Sequence, residues 1–512
     1  MKQTLIILAL FLTQCMWAQD KSLQDRADEL AEGTVFGHAC IGLKVMKGSE
    51  TLASINGNRL LIPASNMKLV STGAALYHFG ADHRFATSIS YDGSIEDGVL
   101  RGNLYICGGA DPTLGSKDSI AVVLDKVFAQ WEKSIRQAGI KEIDGYIIGD
   151  GRWLEGMAEE PSWLWSDIGA YYGSGISGLT FYENMISFNA SVDCSQKPER
   201  VRLSQQYPST SWMTITQACT VGEKSTGDRL YMYTSDLAPT AEIRGTYGID
   251  RGRKRVDFSN KFPEYTCAVY FKNYLDKKGI PCSKGAADFK LKTEWLEGKA
   301  PSEGIGSDGD SLKFITTTLS PTLERITFTT NHASNNIYAE TLFRALGKDI
   351  YGNSDYGASR KAMNETLKNM GLDSALISGI RIQDGSGLSR QNYVSTDFFC
   401  QFLRAMMDTP YFVNYLLTLP IPGGKGSLIY NMRAYPEDQR SRIRVKSGSM
   451  NGTRCYSGYI LPTGYVPVPG KEIPKEIKDE IIIFSIMTNN CVSSSSEVRR
   501  ALDKFMAEMT AF

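Results

Sequence analysis

Histidine is nearly missing from this sequence, with 4 in 512 residues. His38, His78, His83 and His332 show no metal-ligand spacing, and neither CxxC nor HExxH occurs, which argues against a zinc centre. Neither sign of charge is in excess. Lys plus Arg total 56 and Asp plus Glu total 56, so nothing in the balance points to nucleic acid or an anionic membrane as partner. After the first twenty residues no stretch offers the roughly 18 apolar residues that a membrane-spanning helix needs. Cysteine is sparse, at 10. Nine of these follow Ala18, and the odd count leaves at least one without a partner in the chain. Cys194 with Cys219 and Cys267 with Cys282 are the near-neighbour candidates for disulfides, whereas Cys107, Cys400 and Cys455 read as buried thiols in apolar segments.

What is present is ordinary globular material. Hydrophobic residues make up 42% and charged residues 22%, enough to build sizeable cores in roughly two to four domains. The N-terminus reads as an export signal: Lys2, then an apolar run over 5–12 too short to span a bilayer, then Ala18 as the cleavage point. Residues 1–18 are thus expected to be a signal peptide. Lipid attachment at Cys15, in Leu12-Thr13-Gln14-Cys15, is the alternative, although Gln14 is large where such a site takes a small residue.

Periodicity predicts a helix over 22–30, a hairpin of strands over 39–46 and 50–61, and a helix over 66–79. From 87 to 293 the chain is rich in Gly, Tyr and Trp and reads as short strands and turns, with one strong helix over 119–138. Helical patterns return over 335–347, 360–370, 396–408 and 497–509. Strands are predicted over 443–446, 455–461 and 480–488. Both flanks therefore hold part of a sheet plus helices. The pattern predicts one α+β domain, split into 21–86 and 294–512, interrupted by a mostly β insertion over 87–293.

Three short motifs carry chemistry. In Pro63-Ala64-Ser65-Asn66-Met67-Lys68, an extended segment runs into a helix, and three residues along a helix put Lys68 on the same face as Ser65. A hydroxyl nucleophile needs a proton acceptor and donors for the oxyanion. A helix start supplies oriented N–H groups, and a lysine with a depressed pKa supplies the base. Asn66 is unusual there but keeps the geometry. Alone, the motif reads better as a helix cap at Ser65 with Lys68 a solvated cation, since so short a pattern arises easily by chance. This is, however, the one Ser-x-x-Lys in the chain. Next, Ser334 and Asn336 sit two apart before a helix, able to relay a proton and bind an amide, or simply to cap the helix. Third, Arg444-Val445-Lys446-Ser447-Gly448-Ser449-Met450 places Lys446 and Gly448 on one side of a strand. The plain alternative is an edge strand with a surface lysine.

Each motif is weak, but their order is informative. Ser-x-x-Lys, then Ser-x-Asn, then Lys-Ser/Thr-Gly is the arrangement of penicillin-binding proteins and β-lactamases. At these residues the chain resembles the low-molecular-mass class C penicillin-binding proteins, the D-alanyl-D-alanine carboxypeptidase/endopeptidase group of the penicillin-binding protein 4 type. Gly102-Asn103-Leu104-Tyr105 leading to residues 108–114, Ser334-Asn335-Asn336 with Ala339-Glu340, and residues 384–390 are also similar to that family, as is the long gap between Lys68 and Ser334. The resemblance implies a β-lactamase/transpeptidase-like antiparallel sheet flanked by helices and a periplasmic location. It implies Ser65 as the acylated nucleophile, Lys68 as its base and Ser334 as a proton relay. It implies that Asn336, Lys446, Ser447 and Ser449 bind substrate, with the backbone N–H groups of Ser65 and Ser449 forming the oxyanion hole. Peptidoglycan stem peptides are the implied substrates and β-lactams the implied covalent inhibitors, with no cofactor or metal. Ser447 departs from the commoner Thr but keeps the hydroxyl, and residues 384–390 read as a loop bordering the cleft. A β-lactamase or esterase of the same superfamily, and a non-catalytic cell-wall binding protein, are the rival readings.

Overall fold

Two strands from the N-terminal part and three from the C-terminal part share one sheet in the computed structural model, which describes residues 21–195, 197–289 and 312–512. The expected signal peptide, with Cys15 and the Ala18 cleavage point, lies outside the described residues, as does the expected boundary at 293–294. Among the described residues no helix is long and apolar enough to cross a membrane.

The shared sheet has five strands in the order Ile443–Met450, Thr453–Ile460, Ile482–Asn489, Cys40–Lys47, Glu50–Ile55, with every pairing antiparallel. Its middle strand, Ile482–Asn489, is buried along its whole length, as a continuous apolar run covered on both faces must be. One face is covered by the Leu23–Glu32 and Ser495–Met509 helices, where Leu23, Ala27, Leu502 and Phe505 meet Val45, Phe484 and Ile486. Both helices open with a capping box, Ser22 with Asp25 and Ser494 with Glu497, so each starts one or two residues from where the patterning put it. The second strand ends at Ile55, short of the expected residue 61, because Asn56 turns to φ 47° and Gly57 lies against Asp397, where a Cβ would sit 2.7 Å from its Oδ1.

The other face is covered by a helical layer. Its centre is the Met67–Phe79 helix, buried continuously from Met67 to Leu76. Around it pack the Leu323–Ala333, Asn336–Tyr351 and Thr396–Met407 helices. The first of these was not expected from sequence. Its Thr-rich stretch, with Thr327, Thr329 and Thr330, has weak helix propensity and is held by burial instead.

The inserted region builds its own layers. A five-stranded mixed sheet runs Gly285–Asp288, Tyr146–Asp150, Leu104–Gly109, Ala86–Tyr91, Lys313–Leu319. The last strand was read with the returning C-terminal part, yet it hydrogen-bonds to Ala86–Tyr91, so the inserted sheet draws on chain up to Leu319. Two helices cover this sheet. Leu124–Gln137 starts five residues later than patterning suggested, and Pro263–Lys277 was missed. The second helix lacks a side-chain N-cap, and Pro263 at its first position and its buried row of Cys267, Phe271 and Leu275 mark it. Three three-stranded sheets accompany the five-stranded one: Ser94–Glu96 with Val99–Arg101 and Glu142–Asp144, Arg200–Tyr207 with Met185–Asp193 and Lys254–Ser259, and Thr214–Gly222 with Ala238–Gly248 and Asp228–Ser235. Neither candidate cysteine pair is bridged. Cys194 is exposed, Cys219 and Cys282 donate to the carbonyls of Ile243 and Gly145, and Cys267 is buried in the core.

The central helix is set at its depth by Gly73. A Cβ there would stand 2.7 Å from Phe402 Cζ and 3.0 Å from Met406 Sδ. Gly73→Val is expected to lower the unfolding free energy by about 1–3 kcal/mol through overpacking. Denaturant titration measures this, and an unchanged midpoint with an unchanged slope would contradict it.

Candidate active site

Ser65 lies in a single 3-10 turn, Ala64–Asn66, immediately before the Met67–Phe79 helix. Ala64 carries φ 47°, a left-handed conformation that costs an L-residue roughly 1–2 kcal/mol. The turn is pinned on several sides. Asn66 N donates to Pro63 O at 3.2 Å, and Asn66 Nδ2 donates to Ser457 Oγ at 2.8 Å, which donates on to Ser485 Oγ at 2.8 Å. Asn489 brackets Ile62, accepting from its N–H at 2.7 Å and donating to its carbonyl at 3.0 Å. Asn66 thus ties the turn to the sheet, a role no pattern announced. Two glycines let neighbouring backbone close on it. A Cβ at Gly387 (φ 81°) would lie 1.8 Å from Ala64 O, and one at Gly448 would lie 2.4 Å from Pro63 O and 3.1 Å from Ser65 N.

Lys68 is fully buried one turn along. Its Nζ lies 3.0 Å from Ser65 Oγ, 2.6 Å from Asn336 Oδ1 and 2.7 Å from the Ser386 carbonyl. Burial pulls its pKa from the ordinary 10.5 to about 7, against the opposing pull of Asp384 and Glu340. That difference disfavours the ammonium by on the order of 5 kcal/mol, so the neutral amine is present at neutral pH. A neutral amine has two N–H bonds and one lone pair. Asn336 Oδ1 and Ser386 O can only accept, so they take the two N–H bonds, and the lone pair is left to the Ser65 hydroxyl.

Lys446 approaches from the Ile443–Met450 strand. It is also fully buried, donating to Ser334 Oγ at 2.9 Å and to the Ser447 carbonyl at 2.8 Å. Burial first, then the charge of Lys68, hold its pKa well below the usual lysine range. Ser334 takes φ 57° at the end of the Leu323–Ala333 helix, and Asn336 opens the next one. The capping role falls to Asn335, whose Oδ1 accepts from Tyr338 N at 3.1 Å, so Ser334 and Asn336 turn to the lysines. His332 stacks on Phe328, 4.0 Å between ring centres.

The structure therefore joins Ser65, Lys68, Ser334, Asn336 and Lys446 by direct hydrogen bonds. Ser447 is half-buried and supplies its carbonyl to Lys446, while Ser449 is exposed one residue beyond Gly448. Residues 384–390 lie beneath Lys68, with Asp384, Ser386 and Ser389 fully buried. Asp384 accepts from Gly387 N (2.8 Å), Ser389 N (2.6 Å), Trp163 Nε1 (2.8 Å) and Asn392 Nδ2 (2.8 Å). Glu340 accepts from Ser386 N at 2.7 Å, and burial together with Asp384 raises its pKa. These two carboxyls hold the loop that presents the Ser386 carbonyl. Asp-Gly-Ser-Gly in the sequence was the available sign of such a loop. Tyr172 had no sign at all: its carbonyl accepts from Asn336 Nδ2 at 2.8 Å. Together with Tyr171, Glu183 and Met185, it faces Ser334 and Asn336 across a cavity of about 190 Å³. Among the described residues no group of three or more His, Cys, Asp or Glu side chains is placed to hold a metal ion.

The chain is 25% identical over 470 residues to a D-alanyl-D-alanine carboxypeptidase of Actinomadura sp. (strain R39), covering 88% of this chain and 80% of the relative. It is 21% identical over 452 residues to the D-alanyl-D-alanine carboxypeptidase DacB of Haemophilus influenzae, covering 86% and 85%. Crystal structures of penicillin binding protein 4 (dacB) from H. influenzae share the fold. One matches with a TM-score of 0.74 at 20% identity. A second, complexed with a β-lactam, matches with a TM-score of 0.69 at 18% identity. Both cover 95% of this chain and 98% of theirs. The D-Ala-D-Ala carboxypeptidase 3 (S13) family model matches residues 23–510, and the chain belongs to that family.

Proposed function

We propose that this protein is a serine D-Ala-D-Ala carboxypeptidase/endopeptidase that cleaves peptidoglycan stem peptides through an ester on Ser65, and that β-lactams acylate the same oxygen. The observation that carries this reading is the buried Lys68 amine, whose pKa is lowered to about 7 and which is left with one partner that can give it a proton, the Ser65 hydroxyl. In this reading Ser65 Oγ attacks the carbonyl of the penultimate D-Ala while its proton passes to Lys68. The developing oxyanion is taken by the N–H groups of Ser65 and Ser449, and Gly448 between them is bare where a Cβ would lie 3.1 Å from Ser65 N. Ser334, bonded to Lys446, passes a proton to the departing amine, and water then releases the ester. Asn336 aligns the substrate amide, and Lys446 with Ser447 meets its terminal carboxylate. The catalytic unit is the split domain formed by 21–86 and the returning C-terminal part. Action on peptidoglycan implies export to the periplasm, with residues 1–18 as the signal.

Mass spectrometry after penicillin treatment tests the nucleophile. Wild type is expected to gain one lasting covalent adduct and Ser65→Ala none. Rapid turnover of the penicillin would favour a β-lactamase instead, and an unlabelled wild type that still binds peptidoglycan would favour a non-catalytic binding protein. The rate of acylation is expected to rise with pH and level off above an inflection near 7, because the depressed pKa of Lys68 leaves the reactive, unprotonated base above that value and the inactive ammonium below it. Lys68→Arg, which cannot give up its proton, should lower the rate by about 10²–10⁴-fold and remove the inflection. An unshifted profile in that variant would exclude Lys68 as base. Ser449→Ala keeps the backbone N–H and should keep most acylation. Gly448→Ala presses a Cβ onto Pro63 O and should lose at least about tenfold, and equal rates would refute the backbone role.

A further inference from the structure

The inserted region carries an exposed aromatic platform that the peptide chemistry does not use. It lies on the sheet of Thr214–Gly222, Ala238–Gly248 and Asp228–Ser235, whose inner face packs Ile215, Met232 and Ile243 into the core beside Phe188 and Phe258. Across the outer face, the register sets Thr216, Glu242 and Tyr233 in one row and Thr214 beside Thr240 in the next. Trp165, 60% exposed, stacks over this face, its ring 6.1 Å from that of Tyr233 and inclined by 23°. Tyr231 meets Tyr233 edge-on at 5.2 Å. Trp165, Tyr233, Thr214, Thr216, Ser235 and Glu242 line a concavity of about 440 Å³.

The chemistry of this face selects its occupant. Its charges are internally matched: Arg244 Nε lies 3.0 Å from Glu242 Oε1, and the guanidinium sits 5.3 Å from the Tyr233 ring centre, so nothing draws a polyanion. The polar lining is mainly Thr and Ser hydroxyls, which give and accept hydrogen bonds but offer little apolar area to a protein anchor. The exposed Trp165 indole, stacked on the half-buried Tyr233 ring beside hydroxyl rows, suits a ligand with an apolar C–H face and a polar rim, which is the surface of a pyranose. The platform also connects physically to the cleft. Gly169 packs so tightly on the same sheet that a Cβ would lie 1.6 Å from Met232 O, Ala170 pairs with Phe258, and the Tyr172 carbonyl then holds Asn336.

We propose that the Trp165–Tyr233 platform binds the glycan strand of N-acetylated sugars from which the stem peptides hang, so that residues 165–172 couple sugar binding to the substrate-amide ligand. This inference rests on the function proposed above. It is tested with the full-length chain by sedimentation with purified glycan strands stripped of peptide, for wild type, Trp165→Ala, Tyr233→Ala and Trp165→Phe. Wild type should bind, each Ala variant should weaken binding about tenfold or more, and Trp165→Phe should keep most of it. Hydrolysis of peptides on intact sacculi should fall in the Ala variants, while hydrolysis of a soluble peptide and penicillin labelling stay at wild-type levels, which also shows that the variants fold. Binding to peptide-bearing sacculi but not to stripped strands would assign the face to a peptide or protein and overturn the proposal. Equal binding by wild type and both Ala variants would also overturn it. Absent penicillin labelling in wild type would sink the proposed enzymatic function instead, and stripped-strand binding would still decide the platform.

Discussion

Burying an amine among groups that can only accept hydrogen bonds is the constraint on which this active site depends. Lys68 has no exposure to water, and its Nζ is met by Asn336 Oδ1, the Ser386 carbonyl and the Ser65 hydroxyl. In water an ammonium would satisfy all three; in this interior its charge must be carried without solvation, and the cost of that outweighs the attraction of Asp384 and Glu340. The balance leaves a base at neutral pH. Lys446, equally buried, is itself held well below the usual lysine range, by burial first and then by the charge of Lys68.

That arrangement needs a backbone scaffold that would not form by itself. Ala64 is left-handed, Ser334 is left-handed, and the Ser386 carbonyl is aimed by two buried carboxyls. Strained positions persist only where the surroundings over-determine them. Here the surroundings are the sheet, through Asn66–Ser457–Ser485 and Asn489, and the bare backbone of Gly387 and Gly448. The shared sheet joins the two ends of the chain: the Cys40–Lys47 strand pairs with Ile482–Asn489 across more than four hundred residues.

Regular elements with a strong apolar period were legible from the residues. The Met67–Phe79 and Thr396–Met407 helices and the last three strands of the sheet lie within a few residues of their expected places. Elements held by burial against local preference were not. The Thr-rich Leu323–Ala333 helix, the uncapped Pro263–Lys277 helix and the pairing of Lys313–Leu319 with Ala86–Tyr91 each depend on partners distant in sequence. The same division runs through the site. Ser65 and Lys68 announce each other by a three-residue spacing that a helix turns into a contact. Tyr172, Asp384 and Glu340 reach Asn336 and Lys68 only through tertiary packing.

Local spacing is enough to fix the chemical inventory: one hydroxyl one helical turn from a lysine, a Ser/Asn pair at a helix start, and a lysine two residues from a glycine in a strand. That these groups meet, that both lysines are dry, and that Asn335 rather than Ser334 caps its helix follow from the packing of distant segments. The physical reason is that protonation state and hydrogen-bond partnership are set by solvent exclusion and by neighbours hundreds of residues away, neither of which is encoded in any local run of residues.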